Sequence, residues 1–262
     1  MIVTTAGRTN QEIIERAYKI SKVLKVPFEE RRKRSISKLR DERDCNILVV
    51  GKERLELFYK ESSEPFFFHP NSAMFRAKRW IKGERDPFLE AVNLKEGDSF
   101  LDCTLGLASD STMASLAVGE KGKVVGTEGN RYVAYIVKEG LKSWETSIAE
   151  LNRAMKRIEV IAEESENYLI SCEDKSFDVV YFDPMFHQTV EESAGIESLR
   201  PLALHHPVTK KMVKEACRVA RKRVVLKDHF RSPLFNVLNF DVHKRKTALF
   251  HYGVKNLLTI EL

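Results

Sequence analysis

Short apolar runs alternate with longer amphipathic segments over the last two thirds of the chain. The runs have the length of buried strands, and the segments between them repeat their apolar residues at helical spacing. Strands that are separated by helices of this length need crossover connections, which are right-handed and build a mainly parallel sheet. The predicted strands are 99–103, 123–127, 158–162, 177–182 and 223–227, with further strands after residue 237 and a bend near Gly253, and the predicted helices are 109–118, 131–141, 145–157 and 208–220.

The first ninety residues show a different pattern. Apolar residues recur at helical spacing over 10–25, where Asn10 is a suitable N-cap and Pro27 lies beyond the end. A second helix is predicted over the basic segment 29–43. Two short strands are then predicted at 46–50 and 55–59.

Three consecutive phenylalanines at 66–68 favour a buried strand that packs two domains together. The alternatives are a cap over a ligand or a platform on which a base stacks. The change of pattern near residue 90 predicts a small α+β region over 1–88, which recognises the substrate, and an α/β domain over 89–262.

The composition is that of a folded chain. The chain has 262 residues, of which 43% are hydrophobic and 31% charged, and this balance argues against disorder. No stretch approaches the ~20 apolar residues of a membrane-spanning helix, and the N-terminus lacks the apolar core of a signal peptide. The four cysteines do not have the spacing of metal ligands. We therefore expect a cytoplasmic protein with free thiols and no metal site.

The segment 100–110 joins the first predicted strand of the α/β domain to the helix that follows it. Gly106 permits a tight turn, and the small Ala108 lets a ligand approach the backbone. Glu128 ends the second strand near the spacing of about 20 residues at which an acid holds ribose hydroxyls. A solvated turn carboxylate is the alternative for Glu128. Asp102 would repel a phosphate and attract a cation, which favours S-adenosylmethionine over a dinucleotide.

The segment 177–186 runs from a buried strand directly into Asp183, Pro184, Met185 and Phe186. A carboxylate that accepts N–H bonds from an exocyclic amine of a base would hold the nitrogen in line for methyl transfer. Pro184 stiffens the turn, and Phe186 is placed to stack on the base. The alternative is a strand that ends here only because proline stops it. A fourth strand next to the first would bring Asp183 beside the loop that contains Asp102.

Three segments, 102–110, 180–186 and 223–228, together resemble a family of S-adenosylmethionine-dependent methyltransferases. This family includes the small-subunit ribosomal RNA guanine-N2 methyltransferase. The four residues from Asp183 are also similar to the (Asn/Asp)-Pro-Pro-(Tyr/Phe/Trp) motif of enzymes that methylate amines of DNA and RNA. The resemblance implies a class I, Rossmann-like α/β fold: a seven-stranded, mainly parallel sheet with one antiparallel edge strand and helices on both faces.

The resemblance also implies roles for individual residues. Asp102, Thr104 and Gly106 would line the methionine part of S-adenosylmethionine, and Glu128 would hold its ribose. Asp183, Pro184 and Phe186 would engage the target amine. The full set of predicted cofactor-binding residues is Asp102, Cys103, Thr104, Gly106, Ala108, Ser109, Asp110, Glu128, Gly129 and Glu164, and the predicted catalytic residues are Asp183, Pro184, Met185 and Phe186.

An RNA partner is suggested by the net charge of +6 and by the basic segment 31–43. A solvated helix face is an equal alternative for that segment. His205 and His206 are expected to help cover the site. The predicted substrate-binding residues are His69, Asn71, Arg76, Lys78, Lys227 and His229.

The sequence therefore predicts a methyltransferase that acts on an exocyclic amine of a nucleic-acid base, with guanine in ribosomal RNA as the favoured target. A nucleotide-dependent oxidoreductase on the same scaffold remains an alternative. So does an RNA-binding protein without catalysis.

Overall fold

A computed structural model describes residues 1–60, 62, 64–184, 207–246 and 248–257. The described residues form two compact units, Met1–His69 and the residues from Pro70 onward. The predicted domain boundary lies between residues 88 and 89, whereas the compact units divide between residues 69 and 70. The difference arises because the segment 70–92 forms two helices that pack on elements of the second unit.

The first unit contains a three-stranded sheet in the order β1-β2-β3. Strand β1 pairs with β2 in parallel, and β2 pairs with β3 in the antiparallel sense. The elements are β1 (Ile2–Thr5), α1 (Gln11–Leu24), α2 (Ile36–Arg43), β2 (Ile47–Val50) and β3 (Leu55–Phe58). The predicted cap of the first helix is confirmed, because the Asn10 side chain accepts a hydrogen bond from the backbone N–H of Ile13.

The predicted helix over 29–43 is wrong in its first half. Helix α2 begins at Ile36, where the Ser35 hydroxyl accepts the backbone N–H of Lys38. Before it, Arg32 and Lys33 have positive φ values of 46° and 62°, which a helix does not allow. The side chain of Arg34 donates to two backbone carbonyls of this loop, so the loop replaces the expected helical turns with its own hydrogen bonds.

The three phenylalanines do not form the predicted strand. Phe66 makes an isolated bridge to Leu57, with backbone hydrogen bonds of 2.8 and 2.9 Å, and the pairing does not continue. Phe66 and Phe68 are nevertheless buried. The burial that the apolar run predicted is therefore confirmed, whereas its regular structure is not.

The second unit contains a seven-stranded sheet in the order β6-β5-β4-β7-β8-β10-β9. Strands β4 to β8 are parallel to one another, and β10 is antiparallel to both β8 and β9. The antiparallel strand is thus second from the edge and not at the edge as expected. The strands are β4 (Ser99–Asp102), β5 (Lys123–Thr127), β6 (Glu159–Ile161), β7 (Phe177–Phe182), β8 (Ala220–His229), β9 (Asp241–His243) and β10 (Phe250–Asn256).

The predicted alternation of strands and helices is confirmed along this unit. The helices are α3 (Asn71–Ile81), α4 (Pro87–Val92), α5 (Ser109–Val118), α6 (Arg131–Ser143), α7 (Ala149–Lys156), α8 (Ser165–Ser171), α9 (Lys210–Val219) and α10 (Leu234–Val237). The bounds of α5, β5 and β7 agree with the prediction, and the helix that was predicted over 145–157 is confined to α7. Helices α3, α4, α8 and α10 were not predicted.

Gly253 does not mark a bend, as the sequence suggested, but lies in the middle of β10. A Cβ atom at this position would lie 2.7 Å from both Phe235 Cδ1 and Phe240 Cβ. The residue is glycine because two aromatic side chains pack directly against the strand backbone.

An aromatic cluster lies behind the carboxyl ends of β4 and β7. The Phe88 ring on α4 packs edge-on against Phe100 and Tyr181, with centroids 5.8 and 5.0 Å apart. All three side chains are fully buried. This cluster fixes α4 against the sheet below the strand ends that carry the polar residues.

Among the described residues, no helix has the length and apolar character that crossing a membrane requires.

Candidate functional site

The strand register brings the polar strand ends together. Asp102 pairs with Tyr181 across β4 and β7, and Phe182 pairs with Leu226 across β7 and β8. The next residues along the chain, Asp183 and Lys227, are therefore neighbours at the same edge of the sheet. The carboxyl edge of an open parallel sheet is where ligands of such folds bind.

One hydroxyl group joins the two predicted motifs. Thr104 Oγ1 accepts the backbone N–H of Asp183 at 2.7 Å and donates to Asp102 Oδ1 at 3.2 Å. The prediction that Asp183 lies beside the loop of Asp102 is thus confirmed. Residues 79 positions apart in sequence meet here because β7 inserts next to β4.

Asp102 is almost fully buried and is held by the protein itself. Its Oδ1 also accepts the backbone N–H of Thr104 at 2.9 Å, and its Oδ2 accepts the Ser111 hydroxyl at 2.6 Å. Burial raises the pKa of Asp102 to about 7, although these hydrogen bonds act in the opposite direction. Asp102 therefore fixes the shape of the loop. Its Oδ1 already accepts two hydrogen bonds, whereas Oδ2 accepts one and keeps a lone pair for a further donor.

Asp183 and Lys227 form an ion pair at the mouth of the site. Lys227 Nζ lies 2.5 Å from Asp183 Oδ2 and 3.7 Å from Asp110 Oδ2. Burial raises the pKa of Asp183 to about 6, and Lys227 opposes that rise. The pKa of Lys227 itself is raised, because its two acidic neighbours outweigh its burial. At neutral pH both members of the pair are charged.

Asp110 connects this ion pair to the helices around the sheet. It accepts the Tyr181 hydroxyl at 2.7 Å and is in contact with Arg76 Nη1 at 2.5 Å. Burial would raise the pKa of Asp110, but Lys227 and Arg76 outweigh it and lower the pKa to about 2. Asp110 is therefore a fixed negative charge between two cations.

Arg76, which was predicted to bind substrate phosphates, has a different environment. Its Nε and Nη2 donate to the two carboxylate oxygens of Asp86 at 2.8 and 2.9 Å, while Nη1 faces Asp110. Asp86 in turn caps α4 by accepting the N–H groups of Phe88 and Leu89. Because two carboxylates occupy the guanidinium, Arg76 ties α3 to α4 and α5.

The loop between β4 and α5 has the backbone shape that its small residues predict. Gly106 and Ala108 both have positive φ values, 48° and 58°. A positive φ is strained for alanine, and Ala108 is fully buried at the position that caps α5. The loop is thus held in a tight turn with its backbone close to the strand ends.

Glu128 follows β5 at the same sheet edge. Its Oε1 accepts the backbone N–H of Asn130 at 2.9 Å, and the Gly106 backbone also donates to this carboxylate. Burial raises the pKa of Glu128 to about 7. The residue that was predicted to hold a ribose therefore contacts the predicted cofactor loop.

The other predicted cofactor residues divide into three environments. Cys103 is buried in the hydrophobic core between the sheet and its helices, and burial raises the pKa of its thiol strongly. Ser109 and Gly129 are half-buried near the strand ends. Glu164 is exposed at the N-terminus of α8, after β6.

The remaining predicted substrate residues do not all lie together. Asn71 and Lys78 are exposed on α3, and His229 is half-buried at the end of β8. His69 belongs to the first unit, where burial and Arg54 lower its pKa. The predicted residues Met185, Phe186, His205 and His206 lie outside the described residues.

Sequence reasoning missed three polar residues that complete the site: Ser111, Tyr181 and Asp86. In the sequence Tyr181 belongs to an apolar strand and gives no sign of a polar role. Only its pairing with Asp102 across the sheet places its hydroxyl near Asp110. Ser111 had a weak signal, because it is one of four polar residues in the first turn of an otherwise apolar helix.

The acidic residues at the strand ends fit S-adenosylmethionine. Three acidic residues, Asp102, Glu128 and Asp183, end neighbouring parallel strands and suit a ligand with an ammonium, a sulfonium and ribose hydroxyls. In the part of the chain that the structure describes, no group of three or more His, Cys, Asp or Glu side chains is arranged to hold a metal.

Comparison with known proteins agrees with this chemistry. Residues 32–247 match the family model described as "Putative SAM-dependent methyltransferase". The chain is 52% identical to the uncharacterized protein YpiP of Bacillus subtilis (strain 168) over 97% of its length and 98% of that protein. It is 30% identical over 115 residues, 41% of each chain, to ribosomal RNA small subunit methyltransferase J of Acinetobacter baylyi.

The fold also agrees with a solved structure. The SAM-dependent methyltransferase NGO1261 of Neisseria gonorrhoeae superposes with a TM-score of 0.63 at 14% identity, over 98% of this chain and 96% of that one. Since the family model spans most of the chain and the carboxyl-edge site suits the cofactor, the protein belongs to the SAM-dependent methyltransferase family and uses S-adenosylmethionine.

Proposed function

We propose that this methyltransferase modifies an exocyclic amine of a base in RNA, with guanine N2 of small-subunit ribosomal RNA as the target. The observation that carries the proposal is the link from Asp102 through Thr104 to Asp183. It joins the predicted cofactor loop to the predicted amine-binding residue within one site. The name of the Acinetobacter relative, a ribosomal RNA small subunit methyltransferase, supports the choice of substrate.

The chemistry of an exocyclic amine explains the role of Asp183. The nitrogen lone pair is delocalised into the base, so the amine is a weak nucleophile. A carboxylate that accepts its N–H bonds holds the nitrogen in place and stabilises the positive charge that develops on it. Asp183 is suited to this because, with a pKa of about 6, it is ionised at neutral pH. Pro184 follows directly and stiffens the turn.

S-adenosylmethionine supplies the methyl group as an electrophile on a positively charged sulfur. Asp102 and Thr104 would hold the methionine end, and Glu128 would hold the ribose. Burial raises the pKa of Asp102 and of Glu128 despite the hydrogen bonds that each carboxylate accepts within the protein. A bound amine and hydroxyl groups would bring further donors to these buried carboxylates, which is the physical reason for assigning the two residues to the cofactor.

The RNA partner is supported by charge, although the basic segment 31–43 contributes less than its sequence suggests. Arg34 and Arg43 both pair with Glu29, at 2.8 Å each. Arg40 donates to backbone carbonyls of Tyr59 and Ser62. These arginines stabilise the first unit. The other exposed cations of the segment are Arg32, Lys33 and Lys38, of which Arg32 lies 3.7 Å from Glu30 and Lys38 lies 4.0 Å from Glu42.

Family membership removes the two alternatives that the sequence left open, an oxidoreductase and a protein without catalysis. The substrate is tested by mass spectrometry of nucleosides from small-subunit ribosomal RNA of cells with and without the gene. We expect loss of N2-methylguanosine at one position, restored by the wild-type gene. A cytoplasmic enzyme that acts on ribosomal RNA would produce this change, and an unchanged nucleoside profile would show that the substrate lies elsewhere.

A matched variant separates chemistry from folding. Asp183→Ala should fail to restore the modification while it binds S-adenosylhomocysteine within a few fold of wild type by calorimetry. Full restoration by this variant would remove Asp183 from the reaction.

A further inference from the structure

An exposed aromatic side chain lies beside an arginine and two histidines just beyond β8. The Phe230 ring is 41% exposed. Its centroid lies 4.6 Å from the His229 ring and 6.1 Å from the His251 ring, and the Arg231 guanidinium lies 5.0 Å from it. An apolar ring that is open to solvent beside a cation resembles the aromatic platforms on which nucleic-acid bases stack.

The backbone holds this group at the carboxyl edge of the sheet. Phe250, the first residue of β10, pairs with His229, the last residue of β8. The Phe230 N–H donates to the Leu249 carbonyl at 3.0 Å. The group is therefore built on paired strands, and its rings have defined positions.

Two hydrogen bonds orient the histidines. His229 Nδ1 accepts the backbone N–H of Arg231, and His251 Nδ1 accepts that of Arg245, both at 3.3 Å. In the neutral ring the proton is then on Nε2, so each histidine keeps a donor on its other nitrogen. Donors of this kind suit phosphate oxygens and base edges.

This group is continuous with the proposed catalytic residue. Lys227 Nζ, which pairs with Asp183, lies 4.8 Å from the centroid of the Phe250 ring. The Arg245 guanidinium lies 4.9 Å from the same ring. Phe250 is thus between the amine-binding site and the outer basic residues.

The charged residues around the group are mainly basic. The sequence has no acidic residue between positions 243 and 251. Asp228, the acid within 227–231, is buried and accepts the His229 N–H and the Ser232 hydroxyl. Arg245 Nη1 is buried without a hydrogen-bond partner among the described residues. Because Asp228 is buried and Arg231 is exposed, the accessible charge of this surface is basic.

We infer that this surface binds unpaired nucleotides of single-stranded RNA next to the target base. We call it the β8 edge surface and define it as His229, Phe230, Arg231, Arg245, Phe250 and His251. A base would stack on Phe230, and the phosphates beside it would contact the arginines. Single-stranded RNA fits better than a duplex, because a duplex hides the faces of its bases. The inference rests on the proposed function, since it assumes that RNA is the substrate.

The test measures RNA binding apart from methyl transfer. Fluorescence anisotropy with a short labelled single-stranded RNA compares wild type with Phe230→Leu, Phe230→Tyr and Arg231→Gln. We expect Phe230→Leu to weaken binding by roughly 5- to 150-fold. Phe230→Tyr keeps the ring and should bind like wild type. Arg231→Gln should reduce the salt dependence of log K by about 0.7.

A second exposed phenylalanine with an arginine over its ring provides the control. Phe75 is 62% exposed and lies 5.7 Å from Arg79, but Arg79 also pairs with Glu84 at 2.7 Å. Because this charge is neutralised, Phe75→Leu and Arg79→Gln should leave RNA binding unchanged. Calorimetry with S-adenosylhomocysteine confirms that each variant is folded.

The outcomes separate the two proposals. If wild type binds the RNA and the Phe230 and Arg231 variants bind it equally well, the β8 edge surface is refuted while the proposed function stands. The surface is also refuted if the Phe75 and Arg79 variants lose as much affinity, or if a duplex of the same sequence binds as tightly. If ribosomal RNA keeps every methylated nucleoside in cells without the gene, the proposed function itself fails.

Discussion

Replacement of Lys227 by methionine tests the electrostatic design of the site most directly. The change keeps the length and apolar stem of the side chain and removes the ammonium group. That group lies 2.5 Å from Asp183 Oδ2. A hydrogen bond to a charged group contributes about 1.5–3 kcal/mol. One pKa unit corresponds to about 1.4 kcal/mol, so the pKa of Asp183 should rise by about one to two units.

The rise has a defined effect on activity. With a pKa of about 6, Asp183 is almost entirely ionised at pH 7. A rise to about 7–8 would leave roughly a tenth to a half of it ionised. If the carboxylate is the active form, methyl transfer by Lys227→Met should fall about 2- to 10-fold at pH 7 and recover near pH 9. Asp110 keeps Arg76 and Tyr181 as partners, so the fold should persist.

The assay is a pH profile of kcat and kcat/KM with S-adenosylmethionine and the RNA substrate. Lys227→Arg keeps the charge and is the matched control, whose profile should stay near that of wild type. The reasoning is refuted if Lys227→Met loses the same fraction of activity at every pH. It is also refuted if the midpoint of its profile moves to lower pH.

Three further predictions concern stability and the cofactor. Thr104→Val should lower the free energy of unfolding by about 1–3 kcal/mol in denaturant titration, because the Asp183 N–H loses its acceptor, while Thr104→Ser should be close to wild type. Stability should fall as pH rises from about 4.5 to 7, because Glu128 has a raised pKa in the folded state and binds its proton more tightly there. Glu128→Gln should flatten this dependence of Tm on pH in thermal melts and should weaken S-adenosylhomocysteine binding. Gly253→Ala should destabilise by about 1–3 kcal/mol, since its Cβ would overlap Phe235, and an unchanged Tm would contradict the packing.

The reactive residues were predicted from the sequence because their signals are local. Asp183 and Pro184 follow an apolar run that has the length of one strand, and Gly106 follows another. The parallel arrangement then brings both to one edge of the sheet. This convergence was predicted, and the hydrogen bonds through Thr104 confirm it.

The partners of those residues were not predicted. Arg76 was assigned to phosphates, and in the structure it is held by Asp86 and Asp110. Lys227 was assigned to substrate, and it pairs with Asp183. A basic residue has the same appearance in sequence whether it faces solvent or a buried carboxylate, and its partner is decided by packing.

The sequence by itself determined the order of strands and helices in the second unit and the identity of the acidic strand ends. Hydrophobic periodicity depends on residues within one element, so β5, β7 and α5 were predicted with their bounds. Only the tertiary structure decided the antiparallel position of β10 inside the sheet, the packing of Gly253 and the charge network from Arg76 to Asp183. These features depend on the register of strands far apart in the chain, which brings side chains together that no local pattern connects.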